Sequence, residues 1–420
     1  MPTESSATTP PTTAPPVGGQ RRAPWKGAFP FVGAVLVLFL AASSAPSPLY
    51  VIYQQQWQFT AWVLTVVFAL YVFGLLGSLL VVGALSDHLG RRPVLAAAIG
   101  LEVAALVLFL TAGNVFVLSA ARVLQGIATG AATTALSATL ADLEPSRGRA
   151  GVVTSVAPLT GLALGALGSG VLVEFGPAPT RLVYALLLGG MLLAAVGVAL
   201  LPETSLRRPG ALASLRPRVA MPPHLRADLL PVIPAMIAAW ALAGMYLSLG
   251  PSVAAELLGL RNHLIGGVVV TLLAGTGALA VFLLRSRPAS WLLAPSSALL
   301  GLGTLMSLAG VTEDILPLAA VGTLVAGLGF GASVLATFGT FARVAGPHER
   351  SAVFALANVI SYLGNSVPAV LGGIAVTALG LRTATGIYAL AIVLITFAAL
   401  LLRLNRIRAR RRRAVVAPCG

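Results

Sequence analysis

Twelve runs of about twenty mostly apolar residues, separated by short segments that carry most of the charge, dominate this sequence. They fall near 28–50, 61–83, 94–112, 116–141, 151–173, 182–201, 229–249, 264–284, 289–310, 315–341, 352–379 and 384–404. At ~1.5 Å of rise per residue, about 20 residues cover a ~30 Å hydrocarbon core. A helix satisfies its own backbone polar groups and so tolerates lipid as solvent. The expected fold is an all-α membrane protein with twelve transmembrane helices. Composition agrees, since only 9% of the 420 residues are charged and 57% are hydrophobic. Soluble domains need roughly 25% charged residues to cover their surface.

The charge balance is lopsided, with 27 Lys+Arg against 12 Asp+Glu and a formal net charge of +15. Such an excess suits either nucleic acid or the cytoplasmic loops of a membrane protein, and position decides between them. Of the 27 basic residues, 23 lie in the two tails and in alternate loops. Only Arg181, Arg261 and Arg382 lie in the opposite loops, and Arg122 lies inside a run. Both termini are therefore expected in the cytoplasm, with the chain in the plasma (inner) membrane and no role for nucleic acid. Membrane lipid is a partner by composition. The arginine-rich end, from Arg403 to Arg413, is a candidate contact for anionic lipid.

Residues 1–26 are rich in Thr, Pro and Ser and are expected to be a disordered tail. The apolar run that follows is too long for the core of a cleavable signal. Cys419 is the single cysteine, and His88, His224, His263 and His348 show no metal-ligand spacing. No metal, no cofactor and no enzymatic activity are expected, and the absence of a GxxxxGK[ST] loop argues against a self-contained ATP-driven pump.

The longest hydrophilic interior stretch, 202–228, divides the runs six and six. A short pattern repeats before the fifth run (Pro145-Ser146-Arg147-Gly148-Arg149) and before the eleventh (Pro347-His348-Glu349-Arg350). The expected domains are a tail (1–26), an N-terminal six-helix bundle (27–203), a linker (204–228), a C-terminal six-helix bundle (229–405) and a basic tail (406–420). Repeated halves of this kind mark transporters that bind solute near the midplane between them.

The segment after the second run reads Gly83-Ala84-Leu85-Ser86-Asp87-His88-Leu89-Gly90-Arg91-Arg92-Pro93. Asp87 near a helix C-terminus faces the negative end of the helix dipole and needs a cation. Arg91, one turn on, can supply it and can also reach Asp142 at the end of the fourth run. This segment resembles the loop 2–3 signature of the major facilitator superfamily. Arg122-x-x-Gln125-Gly126-x-x-x-Gly130-Ala131 resembles its span 4 motif, and Leu201-Pro202-Glu203-Thr204 and Asp142-x-x-Pro145 resemble its span ends. Pro158 through Gly165 is similar to its antiporter-associated span 5 motif, with Ala157 where glycine is usual. The resemblance implies two pseudo-symmetric six-helix bundles that rock about a central site. It also implies a latch of Gly83, Asp87, Gly90, Arg91, Arg92 and Asp142, joining spans 2, 4 and 11 in the outward-open state.

Two ionisable residues lie well inside the membrane, Glu102 in the third run and Arg122 in the fourth. Either alone is costly there, so an ion pair or a wet cavity is expected. Glu102 is the one deep carboxyl able to exchange a proton, and Arg122 is the candidate to modulate it or to bind an anion. Span 1 and the second half lack a deep acid, unlike many relatives with a coupling carboxyl there. By the family architecture, candidate cavity residues are Arg122, Gln125, Thr129, Trp240, Tyr246, Ser333 and Thr337, with Ser43 and Ser44. So apolar a lining favours hydrophobic or amphipathic solutes over sugars or dianions. The leading expectation is proton-coupled efflux of such a small molecule, with a single chain sufficient. The alternatives are an uncoupled facilitator, a proton-coupled uptake symporter, and a non-transporting receptor or lipid-binding protein on the same fold.

Overall fold

The computed structural model describes residues 26–416, apart from 147, 206–208, 218, 261 and 347. Residues 1–25 of the expected tail, Arg147, Arg207, Arg208, Arg218, Arg261 and Pro347 lie outside the described residues. So do residues 417–420 and the side chains of the arginines from Arg406 onward.

The described chain is nearly all helix. The first half contains α1 (Ala28–Ser44), α2 (Pro46–Trp57), α3 (Ala61–Val82), α4 (Leu85–Leu89), α5 (Arg91–Thr111), α6 (Val115–Asp142), α7 (Arg149–Phe175) and α8 (Leu182–Leu200). A linker with α9 (Ala211–Ser214) and a 3-10 turn (Pro223–Leu225) leads into α10 (Arg226–Leu229). The second half contains α11 (Ile233–Ser248), α12 (Gly250–Glu256), α13 (His263–Leu284), α14 (Ala289–Thr312), α15 (Leu316–Val344), α16 (Arg350–Leu379) and α17 (Leu381–Val416). Among the described residues, eleven helices are long and apolar enough to cross a membrane. Pro223–Leu229 with Ile233–Ser248, bent by 61°, makes a twelfth span. The protein is a multi-pass membrane protein.

Three spans continue as helix past the ends that hydropathy indicates, the last being α17, which continues from the expected end at 404 to Val416. The first, expected to end at 50, continues as α2 to Trp57, after a break at Ala45 where Pro46 and Pro48 interrupt the backbone ladder. Gln54, Gln55 and Gln56 end the apolar run before they end the helix. The seventh similarly steps from α11 to α12 at Leu249, with Pro251 in the first turn of α12.

Small residues set the helix spacing. A methyl group at Gly126 of α6 would collide with the backbone carbonyl of Tyr71 in α3, and Gly130 stands equally close to Leu75. Gly161 and Gly165 of α7 lie against Val37, Leu40 and Ala41 of α1 in the same way. Lipid gives helices no hydrophobic reason to associate, so close backbone approach and dispersion take that role.

The halves meet at the face opposite the arginine-rich loops. There the Ser47 hydroxyl donates to the Leu247 carbonyl at 2.5 Å, and the Trp62 backbone N–H donates to Thr377 Oγ1 at 3.3 Å. Glu174 at the end of α7 accepts from the His263 backbone N–H at 2.9 Å, and its oxygen lies 3.3 Å from His263 Nδ1. Nearer the middle, Thr271 of α13 donates to the Ala163 carbonyl of α7 at 3.0 Å. At the arginine-rich face a cleft of about 640 Å³ separates the halves. Leu79, Gly83, Asp87 and Thr134 form one wall, and Ser351, Phe354 and Asn358 form the other.

Candidate functional site

Three features could take part in a cycle of opening and closing: the charged cluster beside the cleft, the buried polar network inside the first half, and an aromatic group where the halves meet.

The cluster is built on the turn from α3 through α4 to α5. Arg91 Nη1 lies 2.5 Å from Asp87 Oδ1 and donates to Ser86 Oγ at 2.7 Å, while its Nε donates to Asp142 Oδ2 at 3.2 Å. One guanidinium thus ties the end of α4 to the end of α6. Its planar set of donors makes that possible where a lysine would supply one point charge. Asp142 also accepts from Thr204 Oγ1 at 2.9 Å. Beneath the cluster, the Glu203 carboxylate accepts from the backbone N–H groups of Arg91 at 2.7 Å, Arg92 at 3.1 Å and Ser205 at 3.1 Å. A carboxylate there satisfies orphan donors of the first turn of α5 and complements its dipole. Gly90, at φ +108°, is required twice over, by that backbone angle and because an added methyl would stand 2.6 Å from Glu203 Oε2. Arg92 Nη2 donates to the Ala199 carbonyl of α8 at 2.5 Å. Asp87 pairs with Arg91 of its own half, and α16 forms the other wall of the cleft.

The buried network centres on Arg122, 1% exposed in the first third of α6. Its Nε donates to Tyr50 Oη at 2.8 Å and Nη2 donates to the same hydroxyl. Nη1 donates to the Ser43 carbonyl at 2.9 Å and to Gln125 Oε1 at 2.8 Å. The guanidinium also lies 5.3 Å from the ring centre of Tyr50 and 5.1 Å from that of Tyr71, within cation–π range. Gln125 passes the contact on, its Nε2 donating to the Ala42 carbonyl at 3.0 Å and to Glu102 Oε1 at 3.1 Å. Glu102 is wholly buried midway along α5, and its second oxygen, Oε2, has no hydrogen-bond partner. A direct Glu102–Arg122 ion pair is not formed. The Gln125 side chain, one turn along α6 from Arg122, occupies the space between them. The signal for this was present in the Arg122-x-x-Gln125 spacing, which places both on one helix face.

The other nominated residues distribute differently. Thr129 donates to the Gln125 carbonyl, Thr337 to the Ser333 carbonyl and Ser333 to the Ala235 carbonyl, at 2.8, 2.8 and 3.4 Å. Ser43 donates to the Leu40 carbonyl and Ser44 to the Leu162 carbonyl. Tyr246 faces a cavity inside the second half. Trp240 packs edge-on against Phe330 of α15, with ring centres 6.0 Å apart, and tilts against Tyr362 of α16 at 5.7 Å. Tyr362 in turn packs on the core of the first half, so this aromatic group sits where the halves meet. The Trp240 indole N–H is buried and donates to nothing.

Residues 32–367 match the family described as the Major Facilitator Superfamily. The chain belongs to it. The fold of this facilitator is similar to the crystal structure of a bacterial homologue of the human lysosomal transporter Spinster, in an inward-facing and unoccupied conformation. That match has 14% identity and a TM-score of 0.70, covering 90% of this chain and 96% of the other. It is also similar to the human organic anion transporter MFSD10 (TETRAN), at 19% identity and a TM-score of 0.65, covering 90% of this chain and all of that one. The facilitator fold is that of a secondary transporter. Glu203, Thr204, Ser86, Tyr50 and Tyr71 are the site residues that sequence reasoning did not nominate. Glu203 and Thr204 stood in the span 6 ending, but their partners lie more than sixty residues away in sequence.

Proposed function

We propose that this facilitator is a proton-coupled exporter of small hydrophobic or amphipathic solutes in the plasma membrane, with its arginine-rich face and both termini in the cytoplasm. The observation that carries the coupling is the buried chain Glu102–Gln125–Arg122–Tyr50. It ends on a carboxylate oxygen with no partner and joins α2, α5 and α6. A proton arriving at Glu102 Oε2 changes what Glu102 asks of the Gln125 amide. Gln125 cannot rotate without changing what Arg122 receives. Arg122 holds the Ser43 carbonyl and Tyr50 of the broken first span, so the network offers a route from a protonation event to the helix that must move.

The solute class rests on the aromatic group of Trp240, Phe330 and Tyr362 where the halves meet, none of which carries a charge. One unspent donor, the Trp240 N–H, suits a solute with a single acceptor better than a sugar. With the arginine-rich face in the cytoplasm, closure at the opposite face and the cleft at the arginine-rich face support an inward-facing state. Export as the direction is supported by the similarity of Pro158–Gly165 in α7 to the antiporter-associated segment. In this reading the Arg91 cluster steadies the cytoplasmic ends of α4 and α6 and meets α16 when the cleft closes.

Flux of a panel of lipophilic cations and neutral drugs into proteoliposomes, driven by an imposed pH gradient, tests this. Solute should accumulate against its gradient and the accumulation should collapse with a protonophore. Equal flux with and without the gradient would make the protein an uncoupled facilitator, and no flux for any solute would favour a non-transporting role.

A further inference from the structure

A partly open, mainly apolar cavity of about 310 Å³ lies within the second half among α11, α12, α13, α14, α15 and α17. Ligand sites begin at roughly 300 Å³, and at the ~30 Å³ that a water occupies in the liquid the space holds on the order of ten heavy atoms. No charged residue lines it. Most of its wall is Leu, Val, Ile and Ala, and its polar surface is hydroxyl: Tyr246, Ser307, Thr323, Thr304 and Thr385.

The protons of those hydroxyls are already committed. Thr323 donates to the Ala319 carbonyl at 2.9 Å, Thr304 to the Leu300 carbonyl at 2.7 Å and Thr385 to the Leu381 carbonyl at 2.6 Å. Tyr246 Oη lies 2.9 Å from Thr323 Oγ1 and 3.0 Å from Ser307 Oγ, and those two lie 3.4 Å apart. The two remaining protons, of Tyr246 and Ser307, circulate inside that triangle. Each hydroxyl oxygen has two lone pairs, so acceptor capacity is left over and donor capacity is not. A ligand with a bare acceptor would leave that acceptor unpaired, and a carboxylate would enter with no cation to meet it. A ligand with one O–H or N–H would complete the triangle.

We propose that this cavity is a binding site within the second half for a neutral amphiphile of about ten heavy atoms that carries one hydrogen-bond donor, an alcohol above all. Its polar head sits on Tyr246, Ser307 and Thr323, and its chain lies along Leu272, Val268 and Leu308. The site is separate from the interface and does not depend on transport.

The test is photolabelling of the full-length protein in nanodiscs of zwitterionic lipid, with a ten-carbon primary alcohol bearing a mid-chain diazirine. Adducts should map to cavity residues of α13, α14 and α15. Excess 1-decanol should reduce them about tenfold, whereas decane or decanoate should reduce them less than twofold. Leu272→Trp, or Ala320→Phe should the first not fold, should abolish these adducts while leaving labels on lipid-facing residues. Ser307→Ala with Thr323→Val should bring decanol and decane to equal competition. Adducts confined to lipid-facing residues would overturn the site. Competition by decanoate or decane as strong as by decanol would overturn the donor-headed ligand. Because binding alone is read, absence of solute flux leaves the result unaffected.

Discussion

Glu102 and Arg122, the two ionisable residues buried deepest in the first half, do not touch. Gln125 stands between them, donating to Glu102 at 3.1 Å and accepting from Arg122 at 2.8 Å. An amide is suited to this position because it presents a donor to one neighbour and an acceptor to the other. Replacing it with leucine, which is similar in size, takes from Arg122 Nη1 one of its two acceptors, leaving the Ser43 carbonyl, and takes from Glu102 Oε1 its donor. Unmade buried hydrogen bonds cost about 1–3 kcal/mol each, more when charged. Gln125→Leu should therefore lower the thermal unfolding midpoint in detergent by several degrees. An unchanged midpoint would mean that the network is not held as described.

Glu203 closes the first turn of α5 from 112 residues away in sequence. Glu203→Ala removes the acceptor for three backbone N–H groups and should destabilise the protein by about 1–2 kcal/mol, the range of a lost helix cap. Hydrogen exchange should show the amides of Arg91 and Arg92 losing protection first. Glu203→Gln keeps the acceptor oxygen and should cost less.

The α3–α6 seam depends on the absence of a side chain at Gly126. Gly126→Ala drives a methyl into the Tyr71 carbonyl and should cost about 1–3 kcal/mol, as overpacked cores do. Gly100→Ala, where nothing lies within 4 Å of the added atom, is the control and should be close to neutral. Folded yield after size-exclusion chromatography reads the difference.

If the two halves rock as proposed, the contact between α3 and α16 must break. With Cys419→Ser as background, the pair Trp62→Cys and Thr377→Cys should crosslink readily with a short bifunctional reagent. The crosslink should reduce transport at least tenfold, and a cleavable reagent should restore it on reduction. Full transport in the crosslinked protein would refute movement at this contact.

Legibility in the sequence followed the range of each interaction. The spans were readable because a hydrocarbon core sets a minimum length for an apolar helix, which every span except the broken first and seventh meets within one unbroken helix. Their ends were less so: Gln54–Gln56 stay helical because α2 packs against protein, which hydropathy does not record. The Asp87–Arg91 contact is legible as an i, i+4 pair, and Gln125 shares a face with Arg122. Glu203 on α5, Tyr50 on Arg122 and Ser47 on Leu247 depend on how whole helices dock, and no local spacing encodes that.

In the proposed coupling Glu102 is the residue that exchanges the proton, and proton movement tests that proposal most directly. The purified protein in weakly buffered proteoliposomes, with a pH-sensitive dye inside, should show a pH change when a transported solute is added. Glu102→Gln should abolish that change while leaving solute exchange across the membrane intact. A proton signal of wild-type size in Glu102→Gln would contradict the account.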